Sequence, residues 1–495
     1  MAVLESELRI PPGLVSDDTA FSRAGCWIDG NNFAFRGGRP QVIGAFKRTF
    51  ANALTGIVRN IFAFKRAGAT RVAYGTSSKL YLGLSSPVNF PNDVTPVSGW
   101  GTNDSIALAA WGDVLLATAA ENEGSCSTLF QQSGAAAATA VAEAPDEIRW
   151  MLVARRQVLA FGCNEVASGT FNGRCIRGSN FEDYSSAGSW TPTSANNSFE
   201  DVLDGAGNIV TARELAGYIL VWTEDALWLG SFVGDPAQTY RWDLVDNNCG
   251  IAGPHAATIM SGVAYWLGPD LQFRRYALGG LPEIIPCPIW RDFEMAVTRT
   301  AQHLLHASTV SKHNEVWFHY GTGAGYVAFD VREGSWFKGD AGCTAMLDSG
   351  LINEALEDDL LYTGVIGSSA GFVHARELGG SSSIGAADGP SAYHIQSGDF
   401  YIEGGGRSVT VQAVRPDINY GPQNDSMELS LHVRQRPQSP ATAKGPFPLV
   451  PSTTRRSVRA TGNLVSVKFS GVNPSNADAR IGCPVFEYTT GGRRP

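Results

Sequence analysis

Residues 367–371 carry the pattern Gly-Ser-Ser-Ala-Gly, which has the spacing found around the nucleophilic serine of many hydrolases. That chemistry requires a strand-to-helix turn in an α/β sheet and a histidine later in the chain. His374 and His394 do follow, but the segment after residue 371 reads Phe-Val-His, which is typical of a strand. The pattern therefore predicts a glycine- and serine-rich hairpin turn.

Histidines crowd one short stretch, at positions 303, 306, 313 and 319. Imidazole nitrogens bind metals, but only His313 and His319 share a face of an extended segment, without a His-Glu-x-x-His motif or a cysteine pair. Residues 321–325, Gly-Thr-Gly-Ala-Gly, lack the spacing of a dinucleotide fingerprint and lie between predicted strands. We interpret this run as a turn, and expect neither a metal nor a cofactor.

Adjacent carboxylates occur at Glu182-Asp183 and at Asp358-Asp359. Hydrolytic propellers use paired carboxylates, but neighbouring residues of a strand point to opposite faces, so neither pair converges without a bend. The Ser-x-Asp-x-Gly-x-Thr-Trp turn of sialidase propellers is also absent. We interpret both pairs as solvated loop charges and predict that the protein is not an enzyme.

The elements that position these residues are short strands joined by tight turns. The 495 residues include 56 Gly and 25 Pro, while charged residues make up 17%, against about 25% in typical soluble domains. A hydrophobic content of 43% excludes disorder, and no run approaches the roughly 18 apolar residues of a membrane helix. We expect no secretory signal, and free thiols rather than disulfides from the scattered cysteines.

Seven hairpins with a similar sequence pattern recur along the chain. Each consists of a run of Val, Leu, Tyr or Trp, then a turn and a second such run. Their turns centre near residues 77, 122, 168, 224, 269, 323 and 369. Repeats of about 40 to 50 residues with several strands each are typical of β-propellers, whose small sheets bury their faces by stacking around an axis. The period predicts an all-β protein with a β-propeller of six or seven blades.

One further feature supports the propeller. Trp336 follows the turn at residues 330–335, and an indole at the start of a strand gives neighbouring blades a flat packing surface. The alternative is a pair of stacked β-sandwiches, in which strands recur every 8 to 12 residues or so without the longer period.

A change in composition marks the end of the repeats. Residues 379–390 are rich in Gly, Ser and Ala and are typical of a linker or exposed loop. Beyond them, residues 408–414, 427–433 and 463–469 alternate between apolar and polar side chains, which predicts a small β-sandwich-like module, with residues 437–451 as a proline-rich loop. The predicted organisation is an N-terminal arm (1–50), a propeller (51–385) and a C-terminal β module (386–495).

The net charge of −9 is unevenly distributed. Residues 391–495 contain 12 Lys and Arg against 7 Asp and Glu, which leaves the first 390 residues with a net charge of −14. No nucleic-acid-binding motif accompanies the basic part. Arg455 and Arg456 are candidates for contact with an acidic partner, the alternative being a solvated rim.

Three passages carry a family resemblance. Residues 25–46 contain Asn32-x-x-Phe35-Arg36-x-Gly38-x-Pro40; residues 228–236 (Trp-Leu-Gly-Ser-Phe-Val-Gly-Asp-Pro) lead to Cys-Gly-Ile-Ala-Gly-Pro at 249–254 and Val-Ala-Tyr-Trp-Leu at 263–267; and residues 479–484 read Ala-Arg-Ile-Gly-Cys-Pro. Together these phrases resemble the tail nozzle proteins of short-tailed phages.

The resemblance implies a structural virion protein of the phage tail, assembled in the host cytoplasm. Six copies would form a ring below the head-to-tail adaptor, contact tail fibre or spike proteins and complete the tube that conducts DNA during ejection, without sequence-specific binding or a membrane segment. Because an acidic lining repels phosphate, we expect part of the negative charge to face this channel. Two alternatives stay open: a carbohydrate-binding or glycan-degrading propeller of the receptor-binding or depolymerase type, and a minor tail protein of a long-tailed phage.

The N-terminal arm is the candidate for contacts between subunits. Trp27, Phe33 and Phe35, together with Phe46, are expected to be exposed apolar anchors on another copy. The alternative is that this segment completes a sheet of its own chain.

Overall fold

The prediction of an all-β propeller is confirmed. The computed structural model of the chain describes residues 3–44, 46–84, 90–97, 100–134, 136–205, 207–235, 238–340, 342–351, 354–356, 360–362, 364–375, 392–402, 408–420, 426–472 and 479–491. Nearly all regular structure in these residues is antiparallel sheet. The predicted linker at 379–390 and the carboxylate pair Asp358-Asp359 lie outside the described residues.

Five short strands occupy the N-terminal segment, and four of them join sheets of the C-terminal module. They are β1 (Leu4–Glu7), β2 (Trp27–Asn31), β3 (Phe33–Arg36), β4 (Arg39–Val42) and β5 (Lys47–Arg48).

Six consecutive four-stranded sheets follow, each an antiparallel meander that we number as a blade. Blades 1 to 3 are β6 (Val58–Arg66), β7 (Ala69–Thr76), β8 (Leu80–Leu84), β9 (Asn92–Asp93); β10 (Ser105–Trp111), β11 (Val114–Ala120), β12 (Phe130–Gln132), β13 (Thr139–Ala140); and β14 (Ile148–Ala154), β15 (Gln157–Asn164), β16 (Phe171–Gly178), β17 (Phe199–Val202). Blades 4 to 6 are β18 (Ile209–Leu215), β19 (Tyr218–Thr223), β20 (Ala226–Asp235), β21 (Gln238–Asn247); β22 (Ala257–Met260), β23 (Val263–Leu267), β24 (Phe273–Ala277), β25 (Glu283–Ile284); and β26 (His306–Val310), β27 (Glu315–His319), β28 (Tyr326–Asp330), β29 (Ser335–Gly339). Helix α1 (Trp290–Ala296) and a 3₁₀ helix (Arg299–Leu304) connect blades 5 and 6.

The seventh blade closes the ring with a strand from the other end of the propeller. Its strands are β30 (Ala345–Asp348), β33 (Gly364–Gly367), β34 (Val373–Ala375) and, outermost, β5, while β31 (Glu354–Leu356) and β32 (Leu360–Tyr362) form a hairpin between β30 and β33. Arg48 pairs with His374, and Lys47 with Ala375. The first strand of each blade is innermost: β10 contacts β6 and β14, and β30 contacts β26 and β6. The propeller therefore has seven blades.

Large aromatic side chains fill the space between blades. Trp222 of blade 4 and Trp266 of blade 5 are fully buried, with ring centroids 5.6 Å apart. The ring centroids of Trp336 in blade 6 and Phe273 in blade 5 are 4.6 Å apart, which confirms that Trp336 packs between neighbouring blades as predicted. Because both faces of a blade are covered, middle strands such as β27 and β28 are buried at every position rather than at alternate positions.

The C-terminal module contains three sheets, each completed by the N-terminal segment. Its own strands are β35 (Ala392–Ser397), β36 (Val409–Arg415), β37 (Ile418–Asn419), β38 (Met427–Arg434), β39 (Thr442–Leu449), β40 (Arg456–Gly462), β41 (Leu464–Val472), β42 (Arg480–Ile481) and β43 (Val485–Thr490). The sheet orders are β1-β43-β36-β40, β2-β35-β41-β38-β39 and β3-β4-β42-β37. The expectation of a separate N-terminal arm is therefore wrong, because residues 4–42 are integral to this module.

The proline-rich loop predicted at 437–451 is also corrected, since Thr442–Leu449 forms strand β39. This strand is at the edge of its sheet and pairs only with β38. An edge strand tolerates Pro446 and Pro448 because a missing amide hydrogen costs nothing on the unpaired side. Among the described residues, no helix is long and apolar enough to cross a membrane.

Candidate functional site

The three aromatic residues predicted to anchor another subunit are buried in their own chain. Trp27, Phe33 and Phe35 are 3%, 1% and 0% exposed, and Phe46 is buried as well. Phe33 packs edge-on against Tyr393 of β35, at 5.7 Å between ring centroids. The expected exposure of these rings is wrong, because the strands that carry them complete the sheets of the C-terminal module and share one core with blades 5 and 6.

A buried ion pair fixes this module to the propeller. Arg36, at the end of β3, places Nε 2.7 Å and Nη2 3.1 Å from the two carboxylate oxygens of Glu315, at the start of β27. Trp317 Nε1 donates a further hydrogen bond of 2.9 Å to Glu315 Oε2. The pair favours a single placement of β3 relative to β27, because in any other placement each charge would be buried without its partner.

A second, partly exposed network joins the same two parts of the chain. Asp29 of β2 lies 2.9 Å from His394 Nε2 and 3.4 Å from Lys338 Nζ of blade 6. Burial alone would raise the pKa of Asp29, but the hydrogen bond to His394 and the charge of Lys338 lower that pKa well below its usual value. Lys338 also reaches Asp292 of α1 at 2.6 Å. Module and propeller are thus joined by several directional contacts.

Arg456 is the first residue of the edge strand β40, and Arg455 directly precedes it. Arg455 is about half exposed and pairs with Glu487 Oε2 at 2.7 Å. Arg456 is partly buried, and its guanidinium lies 5.9 Å from the ring centroid of Phe447 on β39. The two side chains are therefore at the surface of the module, each steadied by a neighbour.

The fold adds further cations that the linear sequence did not single out. Lys444 of β39 and Arg459 of β40 line one open cavity of about 530 Å³ between the two edge strands, and Arg436 is exposed beside it. We call Arg436, Lys444, Arg455, Arg456 and Arg459 the basic edge. Their separation in sequence concealed the cluster, because they come from three different segments that only the sandwich brings together.

Backbone geometry directs Arg459 out of the regular ladder. Val411 pairs with Ala460 and Ala413 with Ser457, so Gln412 faces two residues and the strand carries a β-bulge. Arg459 itself has a φ of 48°, in the left-handed region that disfavours a side chain. Bulges re-aim side chains at edges of sheets, and here the re-aimed group is a cation at the mouth of the cavity.

The charge asymmetry becomes sharper once the N-terminal strands are assigned to the module. Residues 1–50 carry six Lys and Arg against five Asp and Glu, so residues 1–50 and 391–495 together have a net charge of +6. Residues 51–390 then have a net charge of −15. An acidic propeller and a basic module are held together by the contacts above.

The sequence patterns that resemble catalytic motifs lie in turns and at the surface. Residues 367–371 form the predicted turn between β33 and β34, and residues 321–325 a turn between β27 and β28. Glu182 pairs with Arg156 at the surface, while Asp183 accepts hydrogen bonds from the amides of Ser185 and Ser186. Within the described residues, no three His, Cys, Asp or Glu side chains are arranged to hold a metal ion.

The histidine stretch is divided between different surroundings. His306 and His319 are buried and their ring centroids are 6.3 Å apart, whereas His313 is partly exposed. The closer neighbour of His306 is His255, at 5.7 Å, from the segment before β22. The backbone amide of Ile106 on β10 donates to His255 Nε2 at 3.4 Å, so the His255 side chain, just before blade 5, reaches the inner strand of blade 2 across the propeller axis.

No protein-family model and no curated protein matches the chain. Among solved structures it is similar to one titled "YCF48 bound to D1 peptide", with a TM-score of 0.41 and 10% sequence identity. The similarity covers 67% of this chain and 97% of that one. None of these three comparisons assigns a function to the chain.

Proposed function

We propose that the protein is a structural virion protein, the tail nozzle of a short-tailed phage. In this proposal, copies form a ring below the head-to-tail adaptor, hexameric as in the family that the sequence resembles, and complete the tube through which DNA leaves. The observation that carries the proposal is that an acidic propeller and a basic module are held together in one chain.

Such a chain suits a head-to-tail ring. The basic edge of one copy would face the acidic propeller of the next. Repeating a head-to-tail contact of this kind closes a ring when the rotation between neighbouring copies divides evenly into a full turn. Closure requires every copy to present the two surfaces at the same angle. The pair Arg36–Glu315 and the contacts of Asp29 supply that fixed angle.

The DNA path in this proposal runs between copies rather than through one propeller. Ile106 and His255 approach to 3.4 Å across the axis, which leaves no opening for a duplex at that level. An acidic surface facing the shared channel would repel phosphate and keep the duplex mobile, since each cationic contact adds an affinity that must be broken during sliding.

A charge-reversal experiment tests the proposed contact. Particles that lack the protein are incubated with the purified chain, and the copies bound per particle are counted by quantitative gel analysis. We expect Lys444→Glu/Arg455→Glu/Arg459→Glu to abolish incorporation. The matched control, Lys79→Glu/Arg241→Glu/Arg275→Glu, reverses the same number of exposed propeller cations and is expected to incorporate normally.

Equal incorporation of both triple variants would contradict a contact through the basic edge. Binding of a glycan by the isolated chain, with no binding to particles, would instead support the alternative of a carbohydrate-binding propeller.

A further inference from the structure

The propeller axis gathers basic side chains from blades that are far apart in sequence. Arg59 is the second residue of β6, Arg213 lies on β18, and His306 begins β26. His255 precedes β22 and reaches across the axis to β10. Arg59, Arg213 and His306 all lie near enough to His255 for their charges to lower the pKa of its ring, so basic groups from blades 1, 4 and 6 surround this histidine.

The indole of Trp150 organises two of these groups. The guanidinium carbon of Arg213 lies 4.6 Å from the ring centroid of Trp150, and the His255 ring lies 5.3 Å from it. Arg213 Nη2 donates to the carbonyl of Pro254 at 2.9 Å, next to His255. His255 in turn lies 5.7 Å from His306 between ring centroids, so Arg213, Trp150 and the two histidines form one connected cluster.

Several donors on the inner strands around the axis are buried without a partner. His306 Nε2 lies 2.9 Å from Met346 N and 3.2 Å from Met346 O, while Nδ1 has no hydrogen-bond partner. In the tautomer that uses the shorter contact, Nε2 accepts from the amide and the proton of the neutral ring is on Nδ1. Arg59 Nε is unpartnered too, as are the hydroxyls of Ser105 and Ser308 on inner strands. All four residues are more than nine-tenths buried. Buried donors are nearly always satisfied, so these point to a bound acceptor.

Positive charge in the cluster exceeds the negative charge available to it. Arg213 directs three hydrogen bonds to Thr211 Oγ1 and to the carbonyls of Ala212 and Pro254, none of them a carboxylate. Burial lowers the pKa of Arg213 to about 10. Asp104 is 3.5 Å from Arg59, a long contact for an ion pair. An additional anion would compensate the excess.

We propose that the propeller axis binds a small oxyanion of the phosphate class. The guanidinium groups of Arg59 and Arg213 and the Nδ1 hydrogen of His306 would donate to its oxygens. The planar guanidinium group of arginine can donate two parallel hydrogen bonds to the oxygens of such an anion. The positive charges of Arg59 and Arg213 would repel a metal ion from the same position. The bound oxyanion would tie blades 1, 4 and 6 together and so stabilise the closed ring, whatever the larger assembly does.

Calorimetric titration of the full chain with inorganic phosphate, at constant ionic strength set by chloride, tests this site. We expect one phosphate per chain and a higher unfolding temperature in phosphate than in chloride. Arg213→Met should weaken phosphate binding about tenfold or more, because a hydrogen bond to a charged group is lost. Arg241→Met, on the outer strand of the same blade, should leave binding unchanged.

Crystals of the unaltered chain soaked in selenate provide a readout that no variant can compromise. An anomalous peak within hydrogen-bonding reach of Arg59, Arg213 and His306 would support the site even if Arg213→Met fails to fold. Absence of both the peak and any phosphate effect beyond that of chloride would overturn the proposal. Equal binding by Arg213→Met and the unaltered chain would overturn it as well, and a response to acetate alone would replace the phosphate class with a carboxylate.

Discussion

Arg36 and Glu315 meet in a bidentate ion pair, 279 positions apart in the chain, with side chains 6% and 0% exposed. We expect Arg36→Met to lower the free energy of unfolding by about 3 to 5 kcal/mol, because Glu315 would keep a buried charge without its partner. Chemical denaturation followed by tryptophan fluorescence measures this change.

The matched control is Arg156→Met, which breaks the surface pair with Glu182 and should cost no more than about 1 kcal/mol. Comparable small losses in both variants would show that the Arg36 pair is not what joins module and propeller.

Phe35 distinguishes a structural segment from an interface arm. Because its ring is fully buried in the chain's own core, Phe35→Ala should destabilise the isolated chain by about 3 to 5 kcal/mol. The exposed Phe21 provides the control, and Phe21→Ala should change stability by less than about 1 kcal/mol. If the Phe35→Ala chain is as stable as the unaltered chain but fails to assemble, the Phe35 side chain belongs to an interface between copies.

Acidification should loosen the propeller axis. Burial lowers the pKa of His306 to about 4, below the ordinary value of 6.5. The unfolded chain therefore binds more protons between these two values, so stability falls as the pH decreases from about 6.5 to about 4. The contribution of this one group is about 3 kcal/mol.

The comparison that isolates this effect is the pH dependence of unfolding in His306→Gln against that in His313→Gln. We expect a shallower dependence only for His306→Gln, while His255, whose pKa is lowered by burial and by the charges of its neighbours, contributes equally to both variants. Identical pH profiles for the two variants would contradict a neutral, buried His306.

The repeated hairpins predicted the propeller because the same physical constraint acts on every blade. Each predicted turn lies between the second and third strands of a blade, such as β19–β20 or β27–β28. Strands such as β19 and β27 are almost entirely buried and therefore carry the runs of Val, Leu, Tyr and Trp that mark the repeat. Outer strands such as β9 and β25 are only two residues long and exposed, so the sequence does not reveal them.

Local patterns did not reveal the partners of the N-terminal strands. The apolar character of Trp27, Phe33 and Phe35 is compatible with burial in the same chain or in another one, and only the pairing of β2 with β35 decides between them. The basic edge is only partly predictable from the sequence, for a related reason. Arg455 and Arg456 are adjacent in sequence, whereas Lys444 and Arg459 become neighbours only where two sheets meet.

A cryo-electron microscopy reconstruction of the particle that contains this protein tests the central claim most directly. We predict a ring of copies below the head-to-tail adaptor, with the basic edge of each copy against the propeller of the next and Asp and Glu side chains facing a channel between copies. A ring with a channel lined by Lys and Arg, or single copies attached at the periphery of the tail, would contradict it.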